Sequence, residues 1–283
     1  MSLLEPGASR AGWVSADVDT KIGAWQAAAE FAAATRTIVE LELRKLRHDP
    51  TELVTRAVQP ALWLLVFGQV FSRIRGIPTG GVRYIDFMAA GILAQSVLFI
   101  AIFYGIAAIR ERELGIIVKF LVSPAPRAAL VLGKALSAGM RALSQAVIIY
   151  VLALLLGVHL NWNPLALLGV LALVLLGSAL FSTFSLIIAA LVKTQQRFMG
   201  IGQVLTMPLF FASNALYPIS LMPPWLQFLS RINPLTYQVE GLRMLMVVGG
   251  TVTYRLGVDF GVLFAVSTVM VMVAGKLYAG IVT

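Results

Sequence analysis

Six long apolar stretches divide the chain, each near the roughly 20 residues that a helix needs to cross a hydrocarbon core of about 30 Å. The clearest is 87–109, free of charge between Asp86 and Arg110. The stretch 165–192 is longer and ends at Lys193, and 198–217 follows directly after the polar link 193–197. Three more carry a charge near one end: 54–72 with Arg56, 138–160 with Arg141, and 258–279 with Asp259 and Lys276. The pattern predicts an all-α polytopic membrane protein of six transmembrane helices, one membrane domain over 49–283 with no internal repeat.

Ahead of the first span, 23–48 reads as an interfacial helix. It is rich in alanine, glutamate and leucine, with Ile38, Val39, Leu43 and Leu46 at helical spacing and Arg44, Lys45, Arg47 and His48 before Asp49-Pro50. Such a helix lays its apolar side in the acyl boundary and its basic end among head groups, and Pro50 turns the chain into the bilayer. Residues 1–22 read as a disordered tail.

Two segments between spans are unusual. From Arg110 to Arg127, charge crowds a short amphipathic segment, with Glu111 and Glu113 at the positive end of the helix expected over 115–122. That helix stops where Pro124 pushes Ser123 out of the helical region. Arg127, Lys134 and Arg141 then recur every seven residues, near one face of a helix entering the third span. Taken singly, these cations are ordinary anchors that snorkel to head groups. A bare anchor, however, needs no separate helix between proline turns, so the segment reads as a place where another protein takes hold.

The second segment, 214–243, is too broken by proline to span and too apolar for a free loop. It predicts short re-entrant or interfacial helices whose backbone is satisfied by protein or water. Trp225, Tyr217 and Tyr237 suit an aromatic belt, and Glu240 is placed to pair with Arg243 one turn on. With Pro218, Asn233 and Pro234 these residues are expected to form a cap over a pathway on the outer side. Gln95, Ser96, Ser182, Gln203 and Asn214 are candidate pathway lining, with helix packing the plainer reading of each.

Composition agrees: 59% hydrophobic and 12% charged residues leave too little polar surface to solvate a globular domain of this size. The net charge of +9 is explained by the positive-inside rule without nucleic acid. Sixteen of the 22 Lys and Arg residues fall on the side of the N-terminus, the 110–141 segment, the 193–197 link and Lys276, which predicts both termini in the cytoplasm. Asp259 lies about one turn into the last span and Lys276 near its other end, each within reach of an interface.

No catalytic set emerges. There is no cysteine, and the two histidines, His48 and His159, are expected on opposite sides of the membrane, so no metal site is predicted. Gly133-Lys134 has the tail of a phosphate loop, but Ala128 and Ala135 stand where its first glycine and its Ser/Thr belong. If the protein uses ATP, another chain binds it.

The residues nonetheless resemble the membrane subunits of type-2 ABC exporters, the permeases of drug, lipid and polysaccharide export. Three motifs carry the resemblance: Leu46-Arg-His-Asp-Pro50 with Gln59-Pro60 and Phe67-Gly68; Arg110-Glu-Arg-Glu with Gly115, Ser123-Pro124, Arg127 and Gly133-Lys134; and Asn233-Pro234-Leu235-Thr236 with Glu240 and Arg243. Tyr84 and Gly91 fit as well. The chain departs from the pattern at Ile116-Ile117-Val118, where many members have Thr-Leu-Glu.

The resemblance implies a dimer of six-span permeases in the bacterial plasma membrane, joined to two cytoplasmic ATP-binding subunits that hold ATP and magnesium. It makes 23–48 the connecting helix and Arg110, Glu111, Arg112, Glu113, Gly115, Lys119, Ser123, Pro124 and Arg127 the coupling segment. The apolar lining suits export of a hydrophobic or amphipathic cargo, a drug-like metabolite or a lipid. An ATP-independent secondary transporter or channel is the alternative, and calls for charges held at the membrane midplane. An intramembrane transferase or hydrolase lacks the converging acids and bases it needs.

Overall fold

The computed structural model describes residues 58–72, 78–114, 127–192, 194–250 and 253–280, with the single positions Ala33, Arg36, Glu40, Arg44 and Thr55. Among these the chain is helical, with one isolated antiparallel bridge, Leu160 to Val247, and no strand. The helices are α1 (Val58–Ser72), α2 (Tyr84–Glu113), α3 (Arg127–Leu155), α4 (Pro164–Leu191), α5 (Gln195–Phe211), α6 (Pro224–Ile232), α7 (Pro234–Met246) and α8 (Leu256–Gly280). Four contain a segment long and apolar enough to cross a membrane: Tyr84–Arg110, Ser137–Leu155, Pro164–Leu191 and Leu256–Ala274. The four described positions of the N-terminal region are helical and exposed, with Arg44 Nη2 2.9 Å from Glu40 Oε1. The tail at 1–22 and the remainder of the 23–48 helix lie outside the described residues.

α2 is the buried centre. It is apolar on every side, and Met88, Ile92, Leu93, Val97, Leu98 and Ile102 are all closed off by α1, α3, α4, α5 and α7. α8 shows the opposite, an apolar helix whose Phe264, Val269 and Met272 stay exposed, as a lipid-facing surface does. Glycine permits the closest approaches to α2. A Cβ on Gly91 would run into the Ala215 carbonyl, and one on Gly105 would strike Ser185 and the Phe198 ring. Ser185 uses that proximity: its Oγ accepts from Gly105 N at 3.0 Å and donates to the Ile102 carbonyl.

Two span boundaries differ from the sequence expectation. The stretch read as 198–217 is a helix over Gln195–Phe211, begun by Thr194, whose hydroxyl accepts from Arg197 N. It runs through Pro208 and ends at Phe211, after which 212–217 turns back across Gly91. The stretch read to residue 160 leaves the helix at Leu155, since Gly157 takes φ 69° and Leu160 pairs with Val247. Asn163 then caps α4, its Oδ1 accepting from Leu165 N at 2.9 Å with Pro164 at the first helical position.

α1 contains a π turn at Trp63–Phe67 and starts a line of aromatic rings. Trp63 stacks on Phe67 at 4.5 Å, Phe67 on Phe71 at 6.0 Å, Phe71 lies against Tyr84 at 5.4 Å, and Tyr84 against Phe87 at 6.3 Å.

The loops at the N-terminal end of α2 bond one another. Arg83 pairs with Asp86 at 2.9 Å and donates to the Gly157 carbonyl, while His159 N and Nδ1 each lie 3.2 Å from the Asp86 carboxylate. Val248 N donates to His159 O at 3.0 Å, and Asn161 N to Met246 O at 2.8 Å. At the opposite end of α2, Glu113 accepts from Gln195 Nε2 at 3.2 Å. The loops after α1, α3 and α7 therefore share one side, and the starts of α3 and α5 share the other.

Gly91→Val should lower the thermal midpoint of the detergent-purified protein by several degrees, since overpacking of this kind costs about 1–3 kcal/mol. Gly257→Ala, at a site with open space, should leave it unchanged. Equal melting of both variants in fluorescence-detected size exclusion would refute the close approach of 212–217 to α2.

Candidate functional site

The segment from the end of α5 to the start of α8 is built from side chains that close helix ends. In a hydrocarbon setting a helix terminus keeps carbonyls that no water reaches. The last carbonyls of α5 are each met: Leu209 O by Asn233 Nδ2 at 2.6 Å, Phe210 O by Ser213 Oγ at 2.7 Å, and Phe211 O by Tyr217 OH at 2.6 Å. Asn233 serves two helices, because its Oδ1 also accepts from Leu235 N at 3.0 Å and so caps α7, with Pro234 at the first position. Tyr237 OH donates to Arg231 O at the end of α6, and its ring lies 5.1 Å from that of Tyr254. Pro218 precedes the 3₁₀ turn Ile219–Leu221. α6 is strongly amphipathic, burying Ser230 and exposing Trp225, Phe228 and Ile232.

α7 is one of the short helices of this segment and is buried between α2, α4 and α8, with Thr236, Gln238, Glu240 and Arg243 closed off. Glycines admit it: Gln238 lies against Gly177, where a Cβ would collide with it, and a Cβ on Gly241 would meet Leu173 at 2.7 Å.

Glu240 and Arg243 do not form the direct pair expected from their spacing. Glu240 accepts from Asn214 Nδ2 at 2.7 Å, Thr253 N at 2.6 Å, Thr253 Oγ1 at 2.8 Å and Tyr254 N at 3.0 Å. Arg243 donates to the Asn214 carbonyl at 2.7 Å and to Phe87 O at 3.4 Å, with its guanidinium 3.6 Å from the centre of the Phe87 ring. Asn214 thus bridges the two charges, which reach past each other because each is drawn to backbone groups of a neighbouring segment. Burial pushes the Arg243 pKa down to about 10 while Glu240 raises it, so the cation persists at neutral pH.

Asp259 does not reach an interface. It is fully buried under α7, with its Cβ 3.6 Å from where a Cβ on Gly241 would sit, and among the described residues neither carboxylate oxygen has a hydrogen-bond partner. Within the first turn of α8, Asp259 lies on the side against α7 while Gly257 and Val258 are exposed, which the linear position of Asp259 did not reveal.

The coupling residues divide. Arg110 and Glu113 are exposed at the end of α2, Glu111 and Arg112 belong to that helix, and Arg127 opens α3. Gly115, Lys119, Ser123 and Pro124 lie outside the described residues. The five candidate lining residues do not share one surface within the chain. Gln95 and Ser96 line a cavity of about 410 Å³ between α1, α2 and α3. Ser182 is buried and donates to Ala179 O, Gln203 is exposed on α5, and Asn214 belongs to the charge bridge. Gln145 joins Gln95 in the cavity wall, a proximity that three separate spans give no means of reading from sequence. Among the described residues no three His, Cys, Asp or Glu side chains gather where a metal would sit.

Residues 33–247 match the ABC-2 type transporter family. The putative transport permease ycf38 of Cyanophora paradoxa is 31% identical over 206 residues, covering 71% of this chain and 70% of that protein. The daunorubicin resistance ABC transporter permease protein DrrB1 of Streptomyces coeruleorubidus is 25% identical over 267 residues, 93% of this chain and 92% of its own length. The inner membrane transport permease YadH of Escherichia coli K12 is 27% identical over 201 residues, 68% of this chain and 73% of its own.

Arg243→Met should destabilise the protein by about 3–5 kcal/mol, because it leaves Glu240 buried without a countercharge. The double variant Arg243→Met/Glu240→Met should recover part of that loss. Thermal unfolding in detergent checks both, and a neutral Arg243→Met would refute the role of the bridge.

Proposed function

We propose, from the premise that this chain belongs to the ABC-2 type transporter family, that it is the membrane half of an ATP-driven exporter. It is a transport subunit rather than an enzyme in itself, and its family works with an ATP-binding ABC subunit. The observation that carries the reading is the extent of the family match, which runs unbroken through the 110–127 segment and the α5–α7 clamp while Gly133-Lys134 lacks the rest of a phosphate loop.

On this reading six helices span the bacterial plasma membrane: the four long apolar ones, α1 and α5. The excess of Lys and Arg puts both termini and the 110–127 segment in the cytoplasm. Two copies of the chain, or this chain and a homologue, pair with two ATP-binding subunits, where ATP and magnesium reside. The segment from Arg110 through Arg127 seats in the ATP-binding subunit. Closure of that subunit around ATP then displaces the inner ends of α2 and α3. Transport results only where the cargo binds the two states with different affinity.

The clamp of Tyr217, Pro218, Trp225, Asn233, Pro234, Tyr237, Glu240 and Arg243 is the exit gate. Its closed helix ends favour a rigid body that moves as a unit. The cargo is hydrophobic or amphipathic and leaves the cytoplasm or inner leaflet. The daunorubicin in the name of the Streptomyces relative supports a drug-like metabolite, and the scarcity of charge in the spans supports a lipid equally.

The test is reconstitution with the cognate ATP-binding subunit in proteoliposomes. Glu111→Lys/Glu113→Lys should preserve membrane insertion and basal ATP hydrolysis while reducing ATP-driven cargo movement at least about tenfold, a loss of about 1.4 kcal/mol in coupling. Undiminished transport by that variant would refute the coupling role, and failure of the two subunits to copurify would refute the permease assignment.

A further inference from the structure

We propose that the cavity between α1, α2 and α3 binds the polar part of an uncharged amphiphile, one offering hydroxyl or amide groups rather than a phosphate, a carboxylate or an amine. That the bound molecule is cargo rests on the permease reading; that it binds rests on the cavity alone.

The cavity has a volume of about 410 Å³, within the range of small-molecule sites. Its depth is set by helix geometry. Gln95 lies about 16 Å along α2 from Tyr84, and Gln59 about 20 Å along α1 from Ser72, which places both near the middle of a hydrocarbon core of about 30 Å. Gln59 is exposed, so the cavity opens at the surface of the chain and is entered from the side.

The chemistry of the wall selects the ligand. Gln59, Gln95, Ser96 and Gln145 meet there, and among the described residues none of the lining is charged. Gln145 is 1% exposed with neither amide atom bonded among the described residues, and Gln95 is 3% exposed with its Oε1 likewise unbonded. Each such group left unpaired costs about 1–3 kcal/mol, and at this depth hydrocarbon cannot satisfy it. Ser96 spends its proton on Ile92 O at 2.8 Å and keeps acceptor capacity.

An amide both donates and accepts, and so does a hydroxyl or another amide. A carboxylate or phosphate only accepts and leaves both Oε1 atoms unmet, an ammonium only donates and leaves Gln145 Nε2 unmet, and either brings an unpaired charge into the wall. The nearest cation on α3, Arg141, sits one turn away over the Tyr104 ring at 5.9 Å and is not part of the lining. Phe99 and Phe103, 6.1 Å apart, supply the apolar side of the cavity for the rest of the molecule.

The experiment uses the full permease with its ATP-binding subunit in phosphatidylcholine nanodiscs. The probes are tritiated monoglucosyl diacylglycerol and tritiated phosphatidylglycerol with the same acyl chains. The glucosyl lipid should bind about tenfold more tightly, and Gln95→Leu/Gln145→Leu should abolish that preference. Because leucine replaces unpaired amides with a similar shape, the double variant should melt no lower than the parent. If it does melt lower, the single variants Gln95→Leu and Gln145→Leu, each expected to lose about threefold in affinity, decide the matter. Gln203→Leu, exposed on α5, should change nothing.

Equal binding of the two lipids overturns the proposal. So does binding unaffected by the variants, or no binding of the glucosyl lipid at all, which would leave water as the occupant. Selective binding without ATP-driven transfer in proteoliposomes would keep the site and refute the permease reading. Transfer of some other cargo with the double variant undiminished would do the reverse.

Discussion

A buried guanidinium must find all its partners inside the protein, and much of this structure comes from satisfying Arg243. Its bonds to the Asn214 and Phe87 carbonyls fix the chain after α5 against α2. The Phe87 face takes the cation, and Glu240, one turn away, is held by Asn214 and by the backbone leading into α8. Two charges that could have paired directly are spread over four segments, so breaking the bridge loosens α2, the α5 turn, α7 and α8 together. Gly91 and Gly241 are what let those segments come close enough.

From the same cation the ring line runs back through Phe87, Tyr84, Phe71 and Phe67 to Trp63. α1 exposes Leu62, Leu65, Val66 and Val70, and is held to the core by these rings, by the buried Leu64 and by the approach of Gly68 to Ile85. The polar cavity lies below that line. Aromatic packing therefore holds the outer half of α1, while the inner half borders a space walled by uncharged polar groups.

The proline-broken character of 214–243 was legible in the sequence, since prolines that cannot continue a span leave short helices. The caps that Asn233 and Asn163 form came only with the structure. The long spans were legible for an equally simple reason, since 20 apolar residues leave few other fates. What failed were readings that assumed linear neighbours are spatial partners. Glu240 and Arg243 have ideal spacing for a pair, yet Asn214 and Thr253 compete for the carboxylate from elsewhere in the chain. Asp259, one turn from a helix start, was read as reaching an interface, and only the packing of α7 over it shows otherwise.

The two ends of α2 are fastened very differently. Near Tyr84 the loops after α1, α3 and α7 are tied by hydrogen bonds through Arg83, Asp86, His159 and Val248, whereas toward Glu113 the described hold is apolar packing of Ile109 against Ile188, Ala189 and Phe198, with one bond from Gln195 to Glu113. A helix of 30 residues is about 45 Å long, so any tilt about its hydrogen-bonded end is magnified at the other. A tilt of about 5° about the Tyr84 end carries Glu113 about 4 Å while Tyr84 stays nearly still. Under such a tilt the displacement falls off along the shaft, and Gln95, about a third of the way from the Tyr84 end, travels little more than 1 Å.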